Sequence, residues 1–406
     1  MLRLTLVAEQ MLRPLIREAS LSRKLSLKQN FVRHLNGTIQ SNIIDDNVNE
    51  STTLPETFTR KQLTKYLNNV NPDLLTLKTK DCVKVTKIRP RNLWLVDALI
   101  AQQFYSLIID DILKNRSLVV QCNAGPGILT EMLLKAGVKP LYTIDQEKSF
   151  LEGLETLVAK YRDSEEDDIK LGTKIDLTNY LKSYKLKQGS KKEKWKDECA
   201  LQVILQISQS SPLGQIVRNL INGVGYAELG RPIFYCAIYP SVWNRFVNKE
   251  DTSMKWAPIK IFMCNFFNNK ILGEVSRQAF LPWEQFKHYP PGLRKITEND
   301  WKKMYIVKLE AKPDLFDYID QDMLPVFFKF LRYLTYGKYP AYLIAKLELL
   351  FPGIGLKLIK HDYKLHTLIR DVSGEEFLDI FTKLKDWPNF VQILMNFELK
   401  DNLPDG

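Results

Sequence analysis

The stretch Leu118-Val119-Val120-Gln121-Cys122-Asn123-Ala124-Gly125-Pro126-Gly127-Ile128-Leu129-Thr130 constrains this chain more than any other. A short apolar run enters a turn rich in glycine, and a helical pattern follows. Gly125 and Gly127 supply positive φ or room for close backbone approach, and Asn123 is the residue type after glycine that best tolerates the left-handed region. The turn leaves backbone N–H groups pointing outward at a helix N-terminus, where a bound group can sit. Asp145 stands 20 residues after Gly125, at the end of a second apolar run, Leu141 to Ile144. A carboxylate there can accept both hydroxyls of a ribose, as in dinucleotide-binding folds. The plainer reading of the same residues is a tight turn with a capping acid.

Around this unit, apolar runs alternate with helical patterns. Helices are predicted over Leu95–Leu113, over Thr130–Ala136 ending at Gly137, over Glu147–Tyr161, and over Leu213–Leu229 ending at Gly230. Strands are predicted over Ser117–Cys122 and Leu141–Ile144, with a third over Ile169–Ile175 and a fourth over Ile233–Ile238. This order points to a parallel α/β sheet. After Asn299 the pattern reads as helical, with apolar stretches at Leu324–Leu334, Tyr342–Leu350, Phe377–Leu384 and Phe390–Phe397. The expected organisation is a leader over residues 1–40, a polar and basic extension over 41–84, an α/β domain over 85–298 and a smaller all-helical domain over 299–406.

Charge narrows the partners. Lys and Arg number 58 against 47 Asp and Glu, a net charge of +11. Such a balance suits a polyanion such as nucleic acid, or serves solubility alone. Seven of the basic residues (Arg3, Arg13, Arg17, Arg23, Lys24, Lys28 and Arg33) fall in the first forty positions, among leucines and against only Glu9 and Glu18. An Arg-rich, acid-poor amphipathic leader is the pattern of a mitochondrial presequence, which places the protein in the matrix and nucleoid; the other reading is a basic helix that stays on the protein. The basic insertion over 182–196 reads either as a tongue that contacts phosphates or as a solvated loop. The five cysteines are scattered without a CxxC pair, so neither a disulfide framework nor a zinc ribbon is expected. No run of eighteen apolar residues exists, so no membrane insertion is expected.

Asn123-Ala-Gly-Pro-Gly-Ile-Leu-Thr130 resembles the first motif of the rRNA adenine N6-dimethyltransferases, E-x-G-x-G-x-G-x-L-T, and Asn92-Leu93-Trp94-Leu95-Val96-Asp97 is similar to their Q-N-F-L-x-D entry segment. The resemblance covers roughly residues 85–406 and is tightest over 92–150. It implies a class I S-adenosylmethionine methyltransferase domain, Rossmann-like and α/β, followed by a smaller all-helical C-terminal domain. It also implies S-adenosyl-L-methionine as cofactor. Leu95 would lie against it, Asn123, Gly125 and Gly127 would pass beneath its methionine part, Asp145 would hold the ribose, and Asp176 would contact the adenine amino group.

The sequence departs from the family pattern at three places. Gln121 replaces the motif glutamate and Asn123 its first glycine. The catalytic motif, N-[LI]-P-[YF] after the fourth strand, is aligned with Ile238-Tyr239-Pro240-Ser241. An isoleucine side chain accepts no hydrogen bond, so no catalytic residue is assigned there. Tyr239 and Trp243 either stack a base or pack in the core, and the cluster Phe262, Phe266 and Phe267 has the same two readings. A recognisable cofactor end beside a degenerate catalytic end fits a branch of the family that joins the mitochondrial RNA polymerase at promoter DNA and assists melting. The alternative is an active dimethyltransferase on mitochondrial small-subunit rRNA.

Overall fold

In the computed structural model the described residues are 58–76, 82–162, 169–172, 195–196, 199–247, 258–285, 298–336 and 341–396. The leader over 1–40, Asp176 and most of the insertion over 182–196 lie outside them. From Glu56 onward the chain forms one compact unit.

The centre of that unit is a seven-stranded sheet. Its strands in chain order are β1 (Leu118–Cys122), β2 (Leu141–Ile144), β3 (Ile169–Gly172), β4 (Cys199–Ile207), β5 (Arg231–Ile238), β6 (Phe267–Ser276) and β7 (Lys303–Ala311). They lie in the order β3-β2-β1-β4-β5-β7-β6. Strands β1 to β5 run parallel, and β7 is antiparallel to both of its neighbours. A parallel strand covered by helices on both faces must be apolar throughout, and every residue of β5 is buried. Edge strand β6, with Asn268, Asn269, Lys270 and Glu274, carries the polar residues an edge tolerates.

The helices are α1 (Arg60–Val70), α2 (Ala98–Asn115), α3 (Ile128–Lys135), α4 (Lys148–Tyr161), α5 (Ser211–Asn222), α6 (Pro240–Val247), α7 (Pro258–Phe266), α8 (Leu324–Thr335), α9 (Leu343–Glu348), α10 (Ile354–Lys360), α11 (Gly374–Leu384) and α12 (Phe390–Asn396). Asp97 caps α2 by accepting from the Leu99 and Ile100 amides. Among the described residues, no helix is long and apolar enough to cross a membrane.

Three expectations are corrected. The strand over Ile233–Ile238 is the fifth of the sheet, because Cys199–Ile207 is the fourth. That strand follows the basic insertion, and Gln202 and Gln206 interrupt its apolar run, so no clear strand pattern marks it in the sequence. The α/β domain does not end at 298, since β7 inserts between β5 and β6. The helical residues beyond it are not separately cored: α8 packs against α5, α7, α11 and α12. Phe262, Phe266, Phe327, Phe381 and Phe390 form one continuous aromatic interior, with ring centroids 4.5 Å apart at Phe262–Phe266 and 5.0 Å at Phe327–Phe381. Helix α5 stops at Asn222 rather than Leu229, because Gly223 takes the left-handed conformation that ends a helix.

Candidate functional site

The glycine turn is built as its residue types require. Asn123, Gly125 and Gly127 all have positive φ, at 52°, 62° and 82°. The turn delivers the chain from β1 into α3, with Gly127 at the N-cap. Gln121, in place of the motif glutamate, accepts from the Thr130 hydroxyl at 2.9 Å and so ties the strand to the helix it feeds.

Asp145 follows β2 and faces the turn, but its carboxylate is committed to the protein. Oδ2 accepts from the Gly125 amide at 2.7 Å. Oδ1 accepts from the Glu147 amide at 2.8 Å and from the Trp94 indole N–H at 3.2 Å. Burial pushes the Asp145 carboxyl above its ordinary range, and the bonds from Glu147, Gly125 and Trp94 only partly offset this. The residue is 1% exposed.

Trp94 is the residue that sequence reasoning quoted but gave no role. A β carbon built on Gly125 would stand 3.2 Å from the Trp94 Cβ and 3.3 Å from its Cδ1, so the indole covers the glycine directly. One built on Gly127 would meet Leu157 at 2.9 Å and Leu154 at 3.1 Å. Trp94 belongs to a second apolar cluster with Leu63, Leu67, Val96, Ala124, Phe150 and Leu154, among others. The signal lay in the entry segment: the family has phenylalanine where this chain has tryptophan, and a buried indole needs an acceptor for its N–H.

The cofactor that the resemblance implies would be held by these residues. A ligand touches only atoms that present surface, yet Leu95 is 3% exposed, Asp145 1%, and Gly125 and Gly127 are buried. A cavity of about 730 Å³ beside the turn reaches Pro126, Gly127 and Ile128, but Leu95, Asn123, Gly125 and Asp145 do not line it.

The segment aligned with the catalytic motif lies elsewhere than expected. Ile238 ends β5, Tyr239 follows it, and Pro240 and Ser241 open α6, so they are not at the position after the fourth strand. Ser208-Gln209-Ser210-Ser211 holds that position. This loop has no aromatic residue. The Ser208 hydroxyl donates to the Pro90 and Arg91 carbonyls at 2.5 and 3.1 Å, and Gln209 Nε2 donates to the Arg89 carbonyl at 3.3 Å.

Ile238–Ser241 instead joins a buried ionic knot. The Tyr239 hydroxyl donates to Glu284 and accepts from Arg277 Nε at 2.6 Å. Arg277 also donates to the Pro282 carbonyl at 2.8 Å and pairs with Glu284 at 3.4 Å. The Ser241 hydroxyl and amide both donate to Asp300, and Arg89 Nη2 pairs with Asp300 at 2.6 Å. The Arg89 guanidinium lies 4.5 Å from the Tyr239 ring centroid. Burial raises the Asp300 carboxyl above its ordinary range despite the neighbouring Arg89. Two cations compensate two anions here, so the knot is a closed structural unit. Tyr239 and Trp243 are buried at 0% and 5%, as are Phe262, Phe266 and Phe267, so none of the five presents a face to a base. Among the described residues, no cluster of His, Cys, Asp and Glu could hold a metal ion.

The strand order decides the fold. Dinucleotide folds order six parallel strands as 3-2-1-4-5-6. Here an antiparallel seventh strand enters between the fifth and sixth, with the glycine turn after β1 and the acid after β2.

The fold is that of the class I S-adenosylmethionine-dependent methyltransferases. No protein-family model matches the chain, and no curated protein does. Solved structures do. The 23S rRNA methyltransferase ErmE is 13% identical, over 72% of this chain and 100% of its own, with a TM-score of 0.44. An rRNA methylase from Streptococcus thermophilus is 14% identical, over 52% of this chain and 95% of its own, with a TM-score of 0.26. The O-methyltransferase from Bacillus cereus, in complex with SAH, is 10% identical over 64% of this chain and 94% of its own, with a TM-score of 0.31.

Proposed function

We propose that this protein is a mitochondrial transcription initiation factor, which resembles the mitochondrial transcription factor B2 branch of the rRNA adenine N6-dimethyltransferases and assists the mitochondrial RNA polymerase in promoter melting. The closed crevice carries this reading: the acid assigned to the ribose holds Trp94 and two backbone amides instead. The loop after β4 adds to it, because a flipped adenine would meet no aromatic side chain there. S-adenosylmethionine is the cofactor the fold implies, and its entry here requires Trp94 to leave.

In this reading the fold serves as a nucleic-acid platform. The net charge of +11 favours phosphate contacts, and the matrix and nucleoid are the compartment the leader suggests. Bases of a melted strand would be held by exposed rings, and Tyr318, Tyr336 and Tyr342 are exposed aromatic side chains among the described residues. Trapping unstacked bases lowers the cost of strand separation.

The second reading is an S-adenosylmethionine-dependent dimethyltransferase of mitochondrial small-subunit rRNA. The intact glycine turn and the acid after β2 favour it. One experiment separates the two: the purified protein is added to the cognate mitochondrial polymerase on linear promoter DNA, beside a methyl-transfer assay on a small-subunit rRNA hairpin. Transcription stimulated without methylation is the expected result, and methylation without stimulation would reverse the ranking.

A further inference from the structure

The atoms that a nucleoside would need in this crevice are already engaged, and the group engaging them comes from the same chain. The Trp94 ring covers Gly125 and donates its one N–H to Asp145. Its backbone is pinned as well, since Trp94 and Leu95 pair antiparallel with Leu281 and Phe280. The apolar cluster that holds Trp94 also includes residues of α1. Leu63 and Leu67 are buried in the same cluster as Trp94, and the Tyr66 hydroxyl donates to Asp97 at 2.6 Å. Phe58 and Tyr66 pack against Trp283 at tilted angles, with centroids 4.5 and 5.3 Å away. The Phe150 ring of α4 lies 6.0 Å from Trp94, centroid to centroid.

We propose that Trp94 is a resident occupant of the nucleoside crevice, a flat aromatic ring with one donor that takes Asp145 in place of a ribose and is held there by the chain from 58 to 76. This inference rests on the proposed reading of Leu118–Asp145 as a nucleoside crevice. It goes further in naming what fills it and in making cofactor entry a matter of displacing one side chain. A ligand that binds only the open form has its affinity reduced by the fraction of molecules that are open. The chain is therefore insensitive to the methyl donor as long as the indole stays seated, and smaller side chains at 94 restore the cavity.

The test uses the full chain and S-adenosylhomocysteine as probe. Isothermal titration of the wild type and of Trp94→Ala should show tighter binding by the variant, by roughly tenfold or more. In the wild type labelled with ¹⁵N-tryptophan, the Trp94 indole N–H signal, identified by its loss in Trp94→Phe, should exchange slowly with water and stay unmoved by the probe. Equal affinity in wild type and Trp94→Ala overturns the proposal, as does a folded Trp94→Ala that fails to bind. A freely exchanging indole also overturns it, and this measurement stands alone if Trp94→Ala does not fold. Promoter transcription on the same wild-type preparation separates the two claims. Probe binding with stimulation intact removes the occupant and leaves the proposed function; a seated indole with no stimulation does the reverse.

Discussion

The Trp94 indole N–H and the Asp145 carboxylate, 51 residues apart in sequence, form a buried hydrogen bond of 3.2 Å across the mouth of the glycine turn. This bond joins the segment that enters the domain to the acid after the second strand. It makes what would be a ligand crevice part of the folded interior.

Replacing the ring should therefore affect stability as a core substitution does. Trp94→Ala is expected to lower unfolding free energy by about 3–5 kcal/mol, the range for large aromatic truncations. Trp94→Phe keeps most of the packing and loses the N–H, so it should cost less, on the order of 1–2 kcal/mol. Urea unfolding of the two variants beside the wild type reads the difference.

Asp145 should show an inverted pH signature. Its carboxyl is raised by burial, so the folded chain holds this proton more tightly than the unfolded one. Its contribution is then full below the ordinary value of 3.8 and diminishes as the pH rises through the raised value. Asp145→Asn does not titrate, so the stability of the wild type relative to the variant should fall as the pH rises from the ordinary value of 3.8 through the raised one. Thermal melts across that window check the sign.

Asp111 should behave oppositely. Burial pushes its carboxyl up, but the Lys308 ammonium at 2.6 Å and the Tyr235 hydroxyl at 2.7 Å outweigh burial and hold it below the ordinary range. Its contribution is present above the ordinary value of 3.8 and is lost as the pH falls through the lowered one. Acid unfolding of Asp111→Asn should accordingly be shallower than that of the wild type below about pH 4.

The ionic knot should resist one-sided removal. Arg277→Met leaves Glu284, 1% exposed, with only the more distant Arg89 at 3.9 Å as a cation. The expected loss is about 3–5 kcal/mol, while Arg277→Met with Glu284→Gln recovers part of it. A double-mutant cycle by urea unfolding measures the recovery.

How much of this was legible in the sequence follows from how local each feature is. The β1–turn–α3–β2–Asp145 unit was readable because its geometry is fixed within thirty residues by glycine, asparagine and apolar spacing. Asn123 takes the left-handed conformation its residue type allowed. Strand β4 was hidden because the long insertion separates it from β3 and its glutamines break the apolar run; missing it shifted the catalytic alignment by one strand. Strand β7 was hidden because it returns to the sheet after the point where helices were expected. The role of Trp94 depends on a partner 51 residues away and on a layer laid down by α1, neither of which periodicity records. The aromatic residues offered for base stacking are core because helices α7, α8 and α11 meet on them.

Whether the protein assists strand opening rather than methyl transfer is decided by run-off transcription with the cognate mitochondrial polymerase from matched duplex and pre-melted promoters. Strong stimulation is expected on the duplex template, little on the pre-melted one, and no change in either when S-adenosylhomocysteine is added. Equal transcription with and without the protein on duplex DNA, together with methyl transfer to a small-subunit rRNA hairpin, would contradict it.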